Sequence, residues 1–353
     1  MKIVLYVFSA LLVLTTLLPL WRSDHWTVRV FDYPRLQKLV LIVLCLVGFV
    51  PFWPGLTLID GLVMGALGLC ALYLAWVIYP YTPLGPKMIE RVALRPDEVP
   101  LRLLVANVLQ YNTDYTRLVS LIQETEPDVM LMLETNQAWL DHLRPATDAY
   151  PYRVEVPLEN TYGLLLYAKL PLSNEQVNYL ISEEIPSVIV DVAYQGQTIR
   201  LYGVHPTPPV PQENEESTER DAEILMVGKM AKAYGEAAIV FGDLNDVAWS
   251  RTTQLFLKTS QLLDARRGRG LFSTFHADHR VLRWPLDHYF LSSQFRLIDF
   301  KVERHIGSDH FPISMAVVLR QDDTAGEEAL DAEERVEVNE KIAAGVEKGD
   351  ATP

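Results

Sequence analysis

The fold is decided by the stretch Ala237-Ala238-Ile239-Val240-Phe241-Gly242-Asp243-Leu244-Asn245. Its five leading apolar residues predict a buried strand, and the glycine then allows the chain to turn. In an extended chain Asp243 and Asn245 point to the same side, so that a carboxylate and an amide would share one cleft. An ordinary Asx turn leaving a strand fits the same residues, and the neighbouring motifs must decide between the two interpretations.

Polar residues end other strand-like runs in the same way. Asn107, Glu134 and His205 each follow a run of apolar residues. A carboxylate in such a position is costly unless it is paired or holds a cation. Taken singly, Glu134 also fits an ordinary polar strand end, and His205 fits a hydrogen-bonded structural histidine. The recurrence of the pattern favours a shared site.

The sharpest pair is Asp309-His310, which lies between Gly307 and Pro312. Adjacent residues of a strand face opposite ways, but a glycine and a proline indicate a turned chain in which both side chains reach one site. Histidine changes its charge readily near neutral pH. We expect Asp287, which precedes another apolar run, to accept the imidazole N–H and fix its tautomer.

Short apolar runs separated by polar turns fill the chain from Leu101 onward and predict strands. The runs lie at 101–105, 129–133, 163–167, 187–192, 198–204, 237–241, 288–291 and 313–319. Helical spacing appears at 115–122 and 224–234. Strands outnumber helices, which predicts an α/β or α+β layered domain over residues 97–320.

The first 96 residues have the composition of a membrane region. Three long, nearly uncharged segments predict transmembrane helices at 3–20, 39–59 and 61–83, because about 20 apolar residues cross a bilayer. A cleaved signal peptide followed by two buried helices is the alternative. Lys and Arg residues after the first and third segments predict that the large domain lies on the cytoplasmic side, although Lys2 opposes this bias.

Charge is distributed unevenly along the chain. Residues 97–320 hold 20 Lys and Arg against 30 Asp and Glu, and residues 321–353 hold 3 against 11. The composition of 321–353 predicts an acidic disordered tail or a loose surface helix. A net acidic domain argues against long duplex DNA as the main partner. Cys45 and Cys70 are the only cysteines, which excludes a cysteine-based metal site in the large domain.

Six motifs occur in an order and spacing that resemble the endonuclease/exonuclease/phosphatase family. This family includes exonuclease III-like and DNase I-like nucleases, inositol polyphosphate 5-phosphatases and neutral sphingomyelinases. The motifs are Val105-Ala106-Asn107-Val108, Leu133-Glu134-Thr135, Val204-His205-Pro206, Gly242-Asp243-Leu244-Asn245, Leu286-Asp287-His288-Tyr289 and Ser308-Asp309-His310. The resemblance implies an α/β (α+β) four-layer sandwich, in which helices flank two packed mixed sheets, here preceded by transmembrane helices.

The resemblance also implies hydrolysis of a phosphoester by water with the help of Mg²⁺, or of Mn²⁺ in its place. Its implied metal-binding residues are Glu134, Asn107 and Asp309, and its implied catalytic residues are Asp243, Asn245, His310, Asp287 and His205. Asp243 would orient or deprotonate the attacking water, and Asn245 would bind a phosphate oxygen. His310, held by Asp287, would stabilise the transition state or protonate the leaving group, and His205 would contact the phosphate.

Arg283 is the residue that we expect to bind the phosphate by fork-like hydrogen bonds. Arg266, Arg267 and Arg269 could do the same, but a solvated loop is the favoured interpretation of that cluster. The family's repair nucleases carry an acid two residues after the first asparagine, whereas Leu109 stands there in this chain. This difference weakens the expectation of a nuclease-type metal shell.

The resulting hypothesis is a membrane-anchored phosphoesterase, integral to a bacterial inner or plasma membrane, that acts on a lipid head group, a nucleic acid or a small molecule. Its expected partners are this phosphoester and the bilayer, with no obligate protein partner. A nuclease acting on DNA or RNA is one alternative. A membrane-tethered binding module that has lost catalysis is the other.

Overall fold

Two six-stranded sheets form the part of the chain that follows Leu101. The computed structural model describes residues 2–211, 213–320 and 329–351. Within them the strands are β1 (Leu101–Asn107), β2 (Val129–Leu133), β3 (Tyr152–Val156), β4 (Leu164–Ala168), β5 (Leu172–Asn178), β6 (Ser187–Tyr194), β7 (Gln197–Val204), β8 (Ala238–Asp243), β9 (Leu263–Asp264), β10 (Asp287–Leu291), β11 (Phe295–Val302) and β12 (Ile313–Leu319). The α-helices are α1 (Lys2–Leu17), α2 (Trp26–Arg29), α3 (Arg35–Gly48), α4 (Leu58–Ile78), α5 (Tyr115–Thr125), α6 (Gln137–Thr147), α7 (Thr218–Tyr234), α8 (Arg251–Ser260) and α9 (Ala332–Ala351).

Both sheets mix parallel and antiparallel pairs. The first sheet has the strand order β11-β12-β1-β2-β4-β3, and the second has the order β5-β6-β7-β8-β10-β9. In the first sheet β1 runs parallel to β2, and in the second β7 runs parallel to β8. The remaining neighbours are antiparallel. The central strands are buried on both faces, which explains their nearly continuous apolar runs.

The core lies between the two sheets. Leu103 and Leu131 of the first sheet pack in one cluster with Leu201 and Phe241 of the second. Burial of each such side chain contributes roughly 1.5–3 kcal/mol. On the outer faces, α5 and α6 cover the first sheet, whereas α7 and α8 cover the second. The predicted four-layer sandwich is therefore confirmed.

The strand directions explain why the polar residues of the motifs meet. The parallel strands β1 and β2 end at the same edge of the first sheet, as β7 and β8 do in the second. Antiparallel strands begin where their neighbours end, and Asp287 at the start of β10 accordingly lies opposite Asp243. In the first sheet Ile313 of β12 pairs with Val105 of β1, so His310 precedes β12 at this same edge.

Helices α1, α3 and α4 pack together in the N-terminal region. Two segments, Lys2–Leu20 and Leu58–Tyr81, are long and apolar enough to cross a membrane. The segment 39–59 is not one helix as predicted, because α3 ends at Gly48 and a 3₁₀ turn over Val50–Gly55 follows it. Two prolines within that turn prevent an α-helix from continuing.

The N-terminal helices are attached to the sandwich at one end of the bundle. At the far end the Lys2 ammonium lies 3.0 Å from the Asp60 carboxylate. At the near end the hydroxyl of Tyr81 donates to the carbonyl of Ala248, and the indole of Trp249 donates to the carbonyl of Asp32, at 2.6 and 2.7 Å. The segment between α1 and α3 thus packs directly on the loop that follows β8.

Of the two forms predicted for the acidic tail, the structure contains a surface helix rather than disorder. Residues 332–351 form the 20-residue helix α9, which packs on α7 with Val338 buried. Lys258 of α8 binds Glu334 of α9 at 2.9 Å, and Lys341 of α9 binds Asp221 of α7 at the same distance. The prediction of disorder is wrong for this helix, because its charges find partners on the sandwich. The rest of the predicted tail, residues 321–328 and 352–353, lies outside the described residues.

Candidate active site

His310 lies between two buried carboxylates. Its Nδ1 donates to Asp287 Oδ2 at 2.8 Å, and its Nε2 lies 3.4 Å from Asp243 Oδ2. The backbone N–H of His310 donates to the Ser308 hydroxyl at 3.0 Å, which holds the turn before β12. The ring of Phe275 packs on the imidazole with a centroid distance of 4.9 Å. The expected pairing of Asp287 with His310 is present in the structure.

The charges around His310 favour its protonated form. Burial lowers the pKa of the imidazole, but the carboxylates of Asp243 and Asp287 outweigh burial and raise that pKa to about 10. Burial also raises the pKa of Asp287, against the attraction of His310. Since both ring nitrogens face carboxylates, the imidazolium satisfies each of them. The two carboxylates therefore favour the imidazolium form of His310.

Glu134 and Asn107 form the second half of the site. The Asn107 amide donates to Glu134 Oε1 at 2.7 Å and to Asp243 Oδ2 at 3.1 Å, and so links the two sheets. Burial raises the pKa of Glu134 to about 7, and the carboxylates of Asp309 and Asp243 add to this effect against the amide and His310. The carboxylate of Glu134 thus lies where negative charge is already in excess.

Three residues of the site have positive φ angles without being glycine. They are Leu109 at 56°, Glu134 at 60° and Asn245 at 51°. Such conformations cost roughly 1–3 kcal/mol each and persist only where the surrounding structure imposes them. Gly242 is required for a different reason, since a Cβ there would lie 2.0 Å from the carbonyl oxygen of Val204. Tight packing of β7 on β8 therefore fixes the turn that carries Asp243.

His205 extends the site beyond Asp243. Its Nε2 lies 3.9 Å from Asp243 Oδ2, and the ring of Tyr162 packs beside it at 5.4 Å between centroids. Burial lowers the pKa of His205 despite the attraction of Asp243. Its Nδ1 is buried and has no hydrogen-bond partner among the described residues. A buried polar atom in this state is expected to meet a ligand or water.

Asn245 is oriented differently from the prediction. Its side-chain amide donates to the carbonyl of Pro206 at 2.9 Å, and its backbone N–H donates to Asp243 Oδ1 at 2.9 Å. Its own backbone carbonyl accepts hydrogen bonds from the Tyr33 hydroxyl at 3.1 Å and from Arg220 at 2.7 Å. Asn245 thus ties together the loops after β7 and β8 as well as flanking the site.

Asp309 and Arg283 lie on neighbouring loops at the rim. Asp309 is partly buried, and its backbone carbonyl accepts from the N–H of Ala277 at 2.6 Å. Arg283 donates to the carbonyls of Ala277 and His279 and stacks on the ring of Phe311 at 4.7 Å. The bound N–H groups of Arg283 therefore hold its own loop together, and the structure does not direct them at a phosphate as predicted.

The arginine cluster at 266–269 is neither a phosphate site nor a solvated loop. Arg266 is 1% exposed and binds Asp264 through two nitrogens at 3.0 Å each. Arg267 donates to Gln254, and Arg269 donates to the carbonyl of Ile89. The cluster instead holds the segment that follows α4 against the sandwich.

Several residues that shape the site carried no sequence signal. The Thr274 hydroxyl accepts from the Asp287 N–H at 3.3 Å, and the Gln110 N–H lies 3.4 Å from Glu134 Oε2. Tyr33 and Arg220 act through the Asn245 carbonyl. These residues come from loops, a helix and the N-terminal region, and no apolar run precedes them. Only the folded chain brings them to the sheet edge.

The sequence model of the Endonuclease/Exonuclease/phosphatase family matches residues 104–310, which is more than half of the chain and includes every residue of this site from Asn107 to His310. The chain belongs to this family. The recognised resemblance is thereby confirmed. No curated protein sequence matches the chain.

Solved structures of the family share this fold. A crystal structure of D. rerio TDP2 complexed with single-strand DNA product superposes with a TM-score of 0.51 and 17% identity, covering 63% of this chain and 100% of that one. A family protein from Beutenbergia cavernae gives a TM-score of 0.51 at 15% identity over 63% of this chain and 72% of that one. A family protein from Bacteroides thetaiotaomicron superposes with a TM-score of 0.50 at 17% identity, covering 63% of this chain and 98% of that one. At such identities the likeness establishes the fold alone.

Membership of the endonuclease/exonuclease/phosphatase family supports a metal-dependent phosphoesterase or nuclease. The donors at the sheet edge fit a divalent cation in number and chemistry. Ligand atoms of Asp243, Asp287 and His310 all lie within 4.8 Å of one another, and Glu134 adds a further carboxylate. Oxygen ligands from carboxylates are those that Mg²⁺ and Mn²⁺ prefer.

Proposed function

We propose that the protein is a membrane-anchored, Mg²⁺-dependent phosphoesterase that hydrolyses a phosphodiester or phosphomonoester by attack of water. One observation carries the proposal. The His310 ring is held between Asp243 and Asp287, directly beside the Asn107–Glu134 pair. An imidazole whose protonated form is favoured and a surplus of carboxylates in one buried cleft would provide what phosphoryl transfer requires, which is charge stabilisation and an oriented water.

Glu134 and Asp309 are the residues that would hold Mg²⁺, with Mn²⁺ as a substitute. Burial and neighbouring carboxylates raise the pKa of Glu134, and a cation would relieve this crowding. When bound, the ion would neutralise charge on the phosphate. The expectation that Asn107 is itself a ligand is revised, because its oxygen accepts from the Leu109 N–H at 3.1 Å while its nitrogen faces Glu134. Asn107 would instead orient the Glu134 carboxylate.

Asp243 would orient the attacking water and accept its proton. One of its oxygens accepts from the Asn245 N–H at 2.9 Å, and the other from the Asn107 amide at 3.1 Å. These bonds fix the carboxylate in one plane. His310 would stabilise the negative charge that develops on the phosphate or protonate the leaving oxygen, with Asp287 holding its ring.

His205 would contact a phosphate oxygen through the ring edge that has no protein partner. Burial lowers the pKa of this imidazole against the attraction of Asp243, and Nδ1 is the ring nitrogen without a partner among the described residues. Asn245 would bind the phosphate only after its amide leaves the Pro206 carbonyl. Arg283 would bind substrate only after it releases the carbonyls of its own loop.

Anchoring would come from α1 and α4, whose apolar faces point outward. The side chains of Leu62 and Leu69 on α4 are 66% and 70% exposed, as lipid-facing residues would be. Only 17% and 22% of the two apolar windows is buried inside the protein. The first 96 residues would then form the membrane region and residues 97–320 the catalytic domain, which the Lys and Arg bias places on the cytoplasmic side.

A nuclease is the second candidate. It is favoured by the single-strand DNA product bound to D. rerio TDP2, whose fold is similar. The net charge of −14 argues against a strong interaction with a nucleic acid backbone. A lipid head group and a small phosphoester stay within the leading proposal.

The test uses the full chain purified in detergent and incubated with DNA, RNA, phospholipids, an inositol phosphate and bis-(p-nitrophenyl) phosphate. We expect hydrolysis of at least one phosphoester that requires Mg²⁺ and is lost in Glu134→Gln. Glu175→Gln, on the exposed edge strand β5, is the matched control. Absence of hydrolysis across the panel would leave the non-catalytic binding module as the better description.

Sidedness is tested separately by adding protease to sealed spheroplasts. Protection of the sandwich until the membrane is permeabilised is expected for a cytoplasmic domain. Cleavage from the outer face would reverse the orientation without affecting the proposed chemistry.

A further inference from the structure

A cavity of about 540 Å³ lies between the membrane region and the sandwich. Its walls come from Leu20 in the 3₁₀ turn that follows α1, from Trp76 near the end of α4 and from Trp249 in the loop after β8. Asp243, Asp287 and His310 do not line it. The cavity is therefore separate from the candidate active site, and its volume is typical of a site for a small ligand.

Four arginines line this cavity, namely Arg22, Arg35, Arg251 and Arg267, against the single acid Asp32. Asp32 is already neutralised, because Arg35 lies 2.5 Å from one of its oxygens and Arg29 lies 4.0 Å from the other. Glu334 and Glu337 of α9 bind Arg251, and Glu337 also lies 3.4 Å from Arg22, but neither acid lines the cavity. The residues that line the cavity therefore carry a net positive charge.

Arg35 provides the most specific observation. Its side chain is only 7% exposed, and two of its nitrogens are bound, to Asp32 and to the Tyr73 hydroxyl at 3.0 Å. Its Nε is buried and has no hydrogen-bond partner among the described residues. A buried guanidinium N–H without a partner is costly, so an acceptor is expected in the cavity that Arg35 lines.

The rim of the cavity faces the proposed bilayer. Trp76 is 73% exposed and Tyr79 is 50% exposed, and both follow the apolar face of α4. Exposed aromatic residues at the end of such a helix mark the level of lipid head groups. Leu20, which is 54% exposed, continues the apolar surface on α1. A ligand in this cavity would therefore have a polar end among arginines and an apolar end along the helices.

We propose that this cavity binds the phosphate head group of an anionic membrane phospholipid. The planar guanidinium groups match phosphate oxygens, and a basic pocket between helices at the membrane surface is the kind of site that anionic lipids occupy. The inference rests on the proposed membrane anchoring and is independent of the proposed hydrolysis. Zwitterionic lipids would bind less tightly because their amine would face the same arginines.

The test is native mass spectrometry of the full chain in detergent micelles, titrated with phosphatidylglycerol or phosphatidylcholine. We expect at least tenfold tighter binding of phosphatidylglycerol. Inorganic phosphate at the same concentration should not displace the lipid, because it lacks the apolar end. Equal binding of the two lipids, or full displacement by phosphate, would overturn the proposal.

Variants locate the site. Arg35→Gln should weaken phosphatidylglycerol binding tenfold or more, and Arg22→Gln roughly threefold. Arg144→Gln on α6 is the matched control for Arg22, since it removes a similarly exposed arginine, 68% against 72%, far along the sandwich. Melting temperatures show whether Arg35→Gln still folds. If it does not, the effect of Arg22→Gln on phosphatidylglycerol binding tests the site. An effect of Arg144→Gln equal to that of Arg22→Gln would overturn the proposal.

Carbonate extraction of membranes separates this proposal from its premise. Release of the chain would remove the anchoring on which the lipid site rests, whereas retention without lipid selectivity would refute the site alone. A loss of phosphoester hydrolysis changes neither result, because binding is measured by mass.

Discussion

Two buried groups of charges lie within the same sandwich, and they are balanced in opposite ways. The catalytic cluster consists of Glu134, Asp243, Asp287 and His310, three carboxylates around one imidazole. The anchor network consists of Arg29, Arg220, Lys341, Asp24, Asp221 and Asp246, three cations with three carboxylates. It joins the segment before α3, helix α7 and helix α9.

The two groups differ in how far their cations offset burial. In the anchor network, Lys341, Arg29 and Arg220 overcome burial and lower the pKa of Asp221 far below its usual range, although burial raises the pKa of Asp246. In the catalytic cluster, burial raises the pKa of Glu134 and of Asp287. Removing one member of a balanced group leaves a buried charge without its partner, whereas a surplus of one sign marks a place where a ligand of the other sign is expected. The predictions below test this difference.

The largest effect is expected from His310→Ala, which removes the only cation of the catalytic cluster. We expect kcat to fall roughly 1,000- to 10,000-fold, about 4–5.5 kcal/mol in the barrier, when it is measured well below the melting temperature. The melting temperature should also fall, because Asp243 and Asp287 lose their buried partner. Steady-state kinetics on the substrate found above would measure it. His142→Ala, an exposed histidine that stacks on Tyr115, is the control. A loss below tenfold would contradict the assignment of His310.

The anchor network is probed by Asp221→Asn, which leaves Arg29 and Lys341 without their shared carboxylate. Breaking a buried ion pair typically costs about 3–5 kcal/mol. We expect that loss in the free energy of unfolding, measured by chemical denaturation in detergent, together with a kcat within about threefold of wild type well below the melting temperature. Normal stability with lost activity would place Asp221 in the catalytic group instead.

Glu134→Gln should act on metal binding. Replacing a carboxylate ligand by an amide is expected to raise the half-saturating Mg²⁺ concentration roughly 100-fold, about 2.7 kcal/mol. Isothermal titration calorimetry measures this without reference to turnover. An unchanged Mg²⁺ affinity would indicate that Asp243, Asp287 and His310, rather than Glu134, hold the ion.

Proton competition for Mg²⁺ should be visible near neutral pH. Because the pKa of Glu134 is raised to about 7, its carboxyl is protonated below that pH and must lose the proton when the metal binds. Mg²⁺ affinity is therefore expected to fall as pH decreases below about 7, by up to about tenfold per pH unit. Calorimetry at pH 6, 7 and 8 tests the sign, and an affinity that rises toward pH 6 would exclude this coupling.

The smallest effect is expected from Lys341→Met, which removes one cation from the anchor network. Arg29 and Arg220 still face Asp221, so we expect about 1–2 kcal/mol of destabilisation and unchanged kcat. Denaturation curves measure the change. A loss equal to that of Asp221→Asn would show that α9 contributes as much to the network as the two arginines together.

The central strands and the residues that end them were predictable from the sequence. Runs such as Val129–Leu133 are buried on both faces, so every position is apolar and the following polar residue stands out. Edge strands lack this signal. Tyr152–Val156 is only partly buried, and Leu172–Asn178 is mostly exposed, so their compositions resemble loops. These two strands were missed for that reason.

Side-chain direction and distant pairing were not predictable. Asn107 and Asn245 lie at the expected sheet edge, but their amides bind Glu134 and Pro206 rather than the expected ligands. Helix α9 looks disordered by composition because its stabilising partners, such as Lys258, are on other elements. Charge counts along a sequence do not show which charges meet in space.

The hydrogen bond from Tyr33 to the Asn245 carbonyl bears on how this enzyme can be handled and how it can evolve. A soluble fragment that starts after residue 96 would lose this donor together with the Tyr81 side chain, and would bare the indole of Trp249. Kinetic measurements on such a fragment would describe a loop after β8 that lacks the hydrogen bonds from Tyr33 and Tyr81. For the same reason, replacing residues 1–96 with a segment from another protein would not restore these contacts to the loop after β8.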